Sequence, residues 1–296
     1  MAKRPTKETA ERVEGESLLN RQVIEAMLSQ LGSTRNSRAV DEAQEIMFDA
    51  WECDNPKRRV ALARKALTVS PHCADAFVML AGETARTPED AAEIYAKGVA
   101  AGEKALGKAA FKEDVGMFWG LIETRPYMRA RHGLAIAQWE AGRRENAVEG
   151  ALEMLRLNPN DNQGIRYVLL NWLLQLGRDA DAAALMKRYK NDGGTEWLWS
   201  AALAAFRVKG DCAASRAALT RAIGANGHVG AFLTGRKKLP RRLADFVAVR
   251  SADEAVAYVT EAAATWAATT GAREWVIDQL PPPATPRRRV ARKAQR

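Results

Sequence analysis

His72 and Cys73 stand side by side, a base next to a thiol, the pairing that nucleophilic catalysis uses. Neighbours on a helix diverge by about 100 degrees, so these two side chains cannot easily meet, and Pro71-His72 reads better as a turn between helices. His132 and His228 have no partner at ligand spacing, and Cys53, Cys73 and Cys212 are too scattered for a zinc site or a disulfide framework. The sequence contains no HExxH, P-loop, dinucleotide glycine fingerprint or GxSxG. The expectation is a chain with no catalytic residue, no metal and no cofactor, its cysteines reduced.

What remains for chemistry is charge. Arg125, Arg129 and Arg131 flank Pro126 and could grip an anion, or pair with Glu123, Glu113 or Asp114. Arg236, Lys237, Lys238, Arg241 and Arg242 surround Leu239-Pro240, and a tail from Pro281 carries Arg287, Arg288, Arg289, Arg292, Lys293 and Arg296 with no acid. The tail holds six of the nine net positive charges, so the body is only mildly basic. Flexible cations of this kind contact nucleic acid phosphates in a salt-sensitive way, although the tail has no aromatic residue to stack a base.

Behind these residues lies a repeating frame. Gly142, Gly177 and Gly210 follow apolar helix-like runs at intervals of 35 and 33 residues, and a period of about 34 marks a helical repeat. In one unit, Tyr127 to Ala135 leads through Trp139 to Gly142, then Ala147 and Asn158-Pro159. The small residues allow close helix approach, Gly142 permits the turn and Pro159 ends the second helix. A second unit runs from Gln163 through Tyr167 and Trp172 to Gly177 and Tyr189; a third runs from Glu196 to Gly210-Asp211 and Ile223, with Asp211 as N-cap. Upstream, Ala43 to Leu67 turns near Cys53-Asp54-Asn55-Pro56, and Ala74 to Ala85 pairs with Pro88 to Lys104, capped by Thr87.

These motifs resemble the tetratricopeptide repeat superfamily over residues 39 to 226. More narrowly, Glu123-Thr124-Arg125-Pro126-Tyr127-Met128-Arg129-Ala130-Arg131 and Leu157-Asn158-Pro159-Asn160-Asp161-Asn162 are similar to the suppressor-of-tumorigenicity repeat family and its soluble bacterial relatives. The resemblance implies an all-α, right-handed solenoid of helical hairpins that binds protein or peptide, without established chemistry. Animal members of that family are membrane proteins, and this chain departs from them. It has no run of eighteen apolar residues and no apolar secretion signal, so a cytoplasmic protein without a membrane partner is expected.

In such arrays positions 2, 5, 9 and 12 of each first helix face a concave groove. Counted from the glycines as position 15, the groove residues are Arg129, His132, Ile136 and Trp139, then Gly164, Tyr167, Asn171 and Leu174, then Trp197, Ser200, Ala204 and Arg207. Arg129 and Arg207 suit carboxylates, Asn171 a peptide backbone, Tyr167 and Trp197 apolar contact; the aromatics read equally well as packing between helices. The expected organisation is an arm at 1–36 with an amphipathic helix from Leu18 to Leu31, two hairpins at 37–106 and an irregular insert at 107–126. Three hairpins at 127–237, a capping region at 238–280 and a basic tail at 281–296 follow. The insert, with Phe111, Phe118 and Trp119, is either a packed lid or a binding element. In the capping region Ser251 and Glu254 form a capping-box pattern, and Trp266, Trp275, Val276 and Ile277 should cover the last repeat. The leading expectation is a binding scaffold; the alternative is a nucleic-acid or ribosome-associated protein using the 236–242 cluster and the tail.

Overall fold

Alanine-rich, Gly/Pro-punctuated sequence of this kind favours helices that pack closely, and every regular element among the described residues is an α-helix. A computed structural model describes residues 37–280 apart from 243 and 245; the amphipathic segment at 18–31 and the tail at 281–296 lie outside the described residues. The chain divides into two compact units, one running to Leu169 and the other from Leu170.

The first unit contains α1 (Arg38–Trp51), α2 (Pro56–Val69), α3 (Ala74–Thr84), α4 (Pro88–Glu113), α5 (Arg125–Glu140) and α6 (Arg144–Leu157), each packed on the next in sequence from α1 to α6. The expected cap at Thr87 forms, accepting from the Asp90 amide with Pro88 opening the helix; in the turn expected at 53–56, Asn55 also caps, accepting from the amides of Lys57 and Arg58, and Pro56 opens its helix where a missing amide costs nothing. The boundary between the units falls within α7 (Ile165–Gln175). The second unit continues with α8 (Asp179–Arg188), α9 (Thr195–Lys209), α10 (Ala213–Ala225), α11 (His228–Leu233), α12 (Ala252–Ala268) and α13 (Ala272–Gln279).

The spaced glycines do what their period implies. Gly142 and Gly177 have φ of 76° and 70°, a left-handed conformation that a side chain would strain. Each is followed by the same closing bond, from Arg143 N–H to Gln138 O at 2.8 Å and from Arg178 N–H to Leu173 O at 2.9 Å. At Gly210 the turn differs. Cys212, not Asp211, caps α10, with Ser215 Oγ accepting from the Cys212 amide, while Asp211 pairs with Arg216 at 2.6 Å and accepts from Trp275 Nε1 at 3.0 Å.

The insert expected at 107–126 is largely structured. Helix α4 runs to Glu113 and kinks at Gly107, where φ is 71°. Beyond it the Gly116 and Phe118 amides both donate to Leu157 O, at 2.9 and 3.2 Å. Phe118 is fully buried and meets Phe111 and Tyr127 with ring centroids 5.1 and 5.9 Å away. Three aromatic rings in tilted and edge-on contact pack this piece against α5.

Candidate functional site

The candidate site in the first unit is a cleft of about 600 Å³ between the second half of α3, the start of α4 and one face of α5. It is open because its walls are small: Ala81, Gly82 and Ala85 on α3, Ala91 on α4 and Ala137 on α5 leave space that larger side chains would fill. Three of the four groove positions predicted on α5 reach it: Arg129, His132 and Ile136. Tyr95 crosses from α4 to lie over Gly133, where a built Cβ would meet the ring at 2.2 Å, so glycine there is what lets α4 and α5 close.

Arg129 is not a waiting ligand for a carboxylate. Its Nε and Nη2 donate to Asp75, at 2.8 and 2.5 Å, and its guanidinium lies 4.9 Å from the centre of the Trp51 ring. Asp75 is fully buried and also accepts from Gln44 Nε2 at 2.9 Å. This buried pair ties the start of α3 to α1 and α5 and cancels the charge at that end of the cleft. Burial pushes the His132 imidazole below its usual value, with Asp161 pulling the other way, so it meets a ligand as a neutral donor and acceptor near pH 7. The Tyr95 phenol is pushed up by burial and by Glu140 at the mouth.

The other predicted residues are placed differently. Trp139 is half-buried under the Arg144 guanidinium, 5.0 Å from its ring centre, and is not part of the cleft wall. Tyr167 is half-buried, with Arg166 stacked 4.4 Å over its ring and donating to its hydroxyl; Arg166 also pairs with the buried Asp161 at 2.9 Å. Gly164 and Asn171 are half-buried and Leu174 is buried.

On α9 the groove assignment is corrected. Trp197 is 3% exposed and edge-on to Tyr189, while Ser200 and Ala204 are buried. Ser200 is covered by α12, which packs on α9: the Ser200 and Tyr258 hydroxyls lie 3.4 Å apart, Trp266 Nε1 donates to Tyr258 at 2.9 Å, and the neighbouring Trp199 meets Trp266 edge-on. Arg207 is likewise internal. It donates to Leu174 O at 2.7 Å and pairs with Asp179 at 3.2 Å, satisfying the carbonyl end of one helix and the first turn of the next. Trp266, Trp275 and Val276 are buried as expected of a cap, whereas Ile277 is exposed.

Of the Arg125, Arg129 and Arg131 knot, Arg125 reaches the neighbouring segment and Arg129 turns to Asp75. Arg125 donates to Trp119 O at 3.0 Å and lies over that ring at 5.5 Å. The Cys73 thiol is pushed up to about 12, chiefly by burial and then by Asp75, which removes the thiolate a nucleophile needs. Arg236, Lys237, Lys238, Arg241 and Arg242 are exposed on the segment after α11; Arg287, Arg288 and Arg289 lie outside the described residues.

Two acids went unnoticed in the sequence. Asp75 gave only the signal of an acid in a helix's first turn. Glu196 is pushed up to about 7 by burial, then by Glu261, sixty-five residues along the chain, and by Asp192; burial and the distant acid leave no local pattern. Among the described residues no helix is long and apolar enough to cross a membrane.

Comparison with known proteins fits this frame. The chain is 26% identical over 285 residues to the suppressor of tumorigenicity 7 protein of Macaca fascicularis, covering 81% of this chain and 53% of that one. It is 29% identical over 170 residues to the protein ST7 homolog of Caenorhabditis elegans, covering 50% of this chain and 29% of the relative. With the suppressor of tumorigenicity 7 protein-like of Danio rerio the identity is 27% over 166 residues, 54% of this chain and 26% of the relative. The chain thus spans about half the length, or less, of these relatives. The family model described as ST7 protein matches residues 31–277, and the chain therefore belongs to the ST7 family.

Proposed function

We propose that this chain is a non-enzymatic, tetratricopeptide-like helical scaffold that binds a segment of a partner protein in the cleft between α3, α4 and α5. The observation that carries the reading is the cleft itself: about 600 Å³, with three predicted groove positions in its wall. Because Arg129 is neutralised by Asp75 and the walls are mostly apolar, the cleft favours a large uncharged side chain over a carboxylate. Neutral His132 and the Tyr95 phenol supply hydrogen bonds to the peptide around it. The matching closing bonds at the Gly142 and Gly177 turns support the repeat reading, and the high-lying Cys73 thiol supports the non-enzymatic one. Cys53, Cys73 and Cys212 are all free, which supports a reducing, cytoplasmic setting.

Gly82 offers a clean test, since a Cβ built there meets nothing within 4 Å. Gly82→Phe should fill the cleft without disturbing the backbone. Selection from a displayed random-peptide library should enrich peptides carrying a large apolar residue on the native chain, and the variant should lose them while melting normally. Equal enrichment by both proteins would refute the cleft as the site.

A further inference from the structure

We propose that the segment from Arg236 to Arg250 is a docking surface for an anionic lipid bilayer. Within these fifteen positions the sequence places six Lys or Arg and one Asp. The same segment carries apolar side chains facing solvent: Phe246 is 66% exposed and Val249 82%, with Leu239 and Val247 also exposed. Exposed apolar side chains interleaved with cations match the bilayer boundary, where anionic headgroups take the charge and the acyl region takes the apolar groups.

The segment is held at both roots. On one side the Lys237 amide donates to Ala231 O at 2.8 Å, and Lys237 Nζ lies 5.9 Å over the Phe232 ring. On the other, Arg250 sits at a φ of 62°, rare for a residue with a side chain. Its amide donates to Glu254 at 2.8 Å and its guanidinium to the carbonyls of Ala225 and Gly224. Glu254 in turn accepts from Asn226 Nδ2 at 2.9 Å and Thr195 Oγ1 at 2.7 Å. Anchoring at both ends lowers the ordering cost of presenting the cations and apolar groups between them.

Charge complementarity alone would also suit a nucleic acid. Of the four exposed apolar groups only Phe246 offers a ring for a base to stack on; Leu239, Val247 and Val249 offer none but gain from leaving water at a lipid boundary, which favours the bilayer. The contact is peripheral, because no described helix crosses a membrane. It shares no residue with the cleft, and stands or falls without it.

The experiment is co-sedimentation of the full chain with phosphatidylcholine vesicles, with and without about 30% phosphatidylserine, at low and high salt. The triple variant Lys237→Glu/Lys238→Glu/Arg241→Glu should weaken binding to the anionic vesicles about 100-fold. Phe246→Ser/Val249→Ser should weaken it about tenfold, with native circular dichroism in both, because all five side chains are exposed. Vesicles without phosphatidylserine should not bind. The proposal is overturned if the chain ignores anionic vesicles. It is equally overturned if Phe246→Ser/Val249→Ser binds them unchanged, if deleting 281–296 removes all binding, or if RNA binds in their place with no loss in that double variant.

Discussion

By the count from the glycines, helices α5 and α9 correspond, yet one keeps an open face and the other does not. On α5 the positions of Arg129, His132 and Ile136 border a cleft; on α9 the equivalent Trp197, Ser200 and Ala204 are buried, with α12 packed on that helix. Repeat register sets which face a side chain occupies. What lies against that face is set by chain that the repeat does not include. The open face is bounded by alanine and glycine and fixed by a buried ion pair, the closed one by tryptophans.

The largest effect should come from breaking what fixes the open face. Arg129→Ala strands the Asp75 carboxylate in the interior and should cost about 3–5 kcal/mol in urea unfolding. Asp75→Leu with Arg129→Met should recover much of that loss, because no buried charge is left without its partner. If the single variant costs nothing, the pair does not position α3 against α5.

Breaking the closed face should cost a similar or slightly smaller amount. Trp266→Ala removes a fully buried ring that meets Trp199 and donates to Tyr258, for about 3–5 kcal/mol. It should also raise the fluorescence quenching of Trp199 by acrylamide; unchanged quenching would mean that α12 is not what covers α9.

The smallest effect sharpens the comparison through pH. Glu196 has its carboxyl raised to about 7 in the folded chain, so the native state holds a proton that the unfolded chain has released above about 4.5. This contribution to stability is fully present below about 4.5 and is lost as pH rises through about 7. Glu196→Gln should flatten the dependence and stabilise the chain at pH 8 by on the order of 2 kcal/mol, read from melting curves at pH 5 and 8. A native chain with no such slope would show that Glu196 titrates normally.

Local rules were legible in the sequence where the interaction itself is local. The caps at Thr87 and Ser251 and the turns at Gly142 and Gly177 each rest on residues within a few positions of one another. The site was legible only in part. His132 and Ile136 followed from counting, but Arg129 did not reveal that Asp75, fifty-four residues earlier, already held its guanidinium. Nor did Trp197 and Arg207 look different from groove residues, because an aromatic or arginine at helical spacing serves packing and binding equally well.

The sequence by itself determined an all-helical chain and the positions of its glycine turns, because backbone geometry responds to glycine, proline and capping side chains close by. Only the tertiary structure decided which faces stay open, which charges are spent internally and which acid is pushed up, because burial and pairing depend on residues brought together from far along the chain.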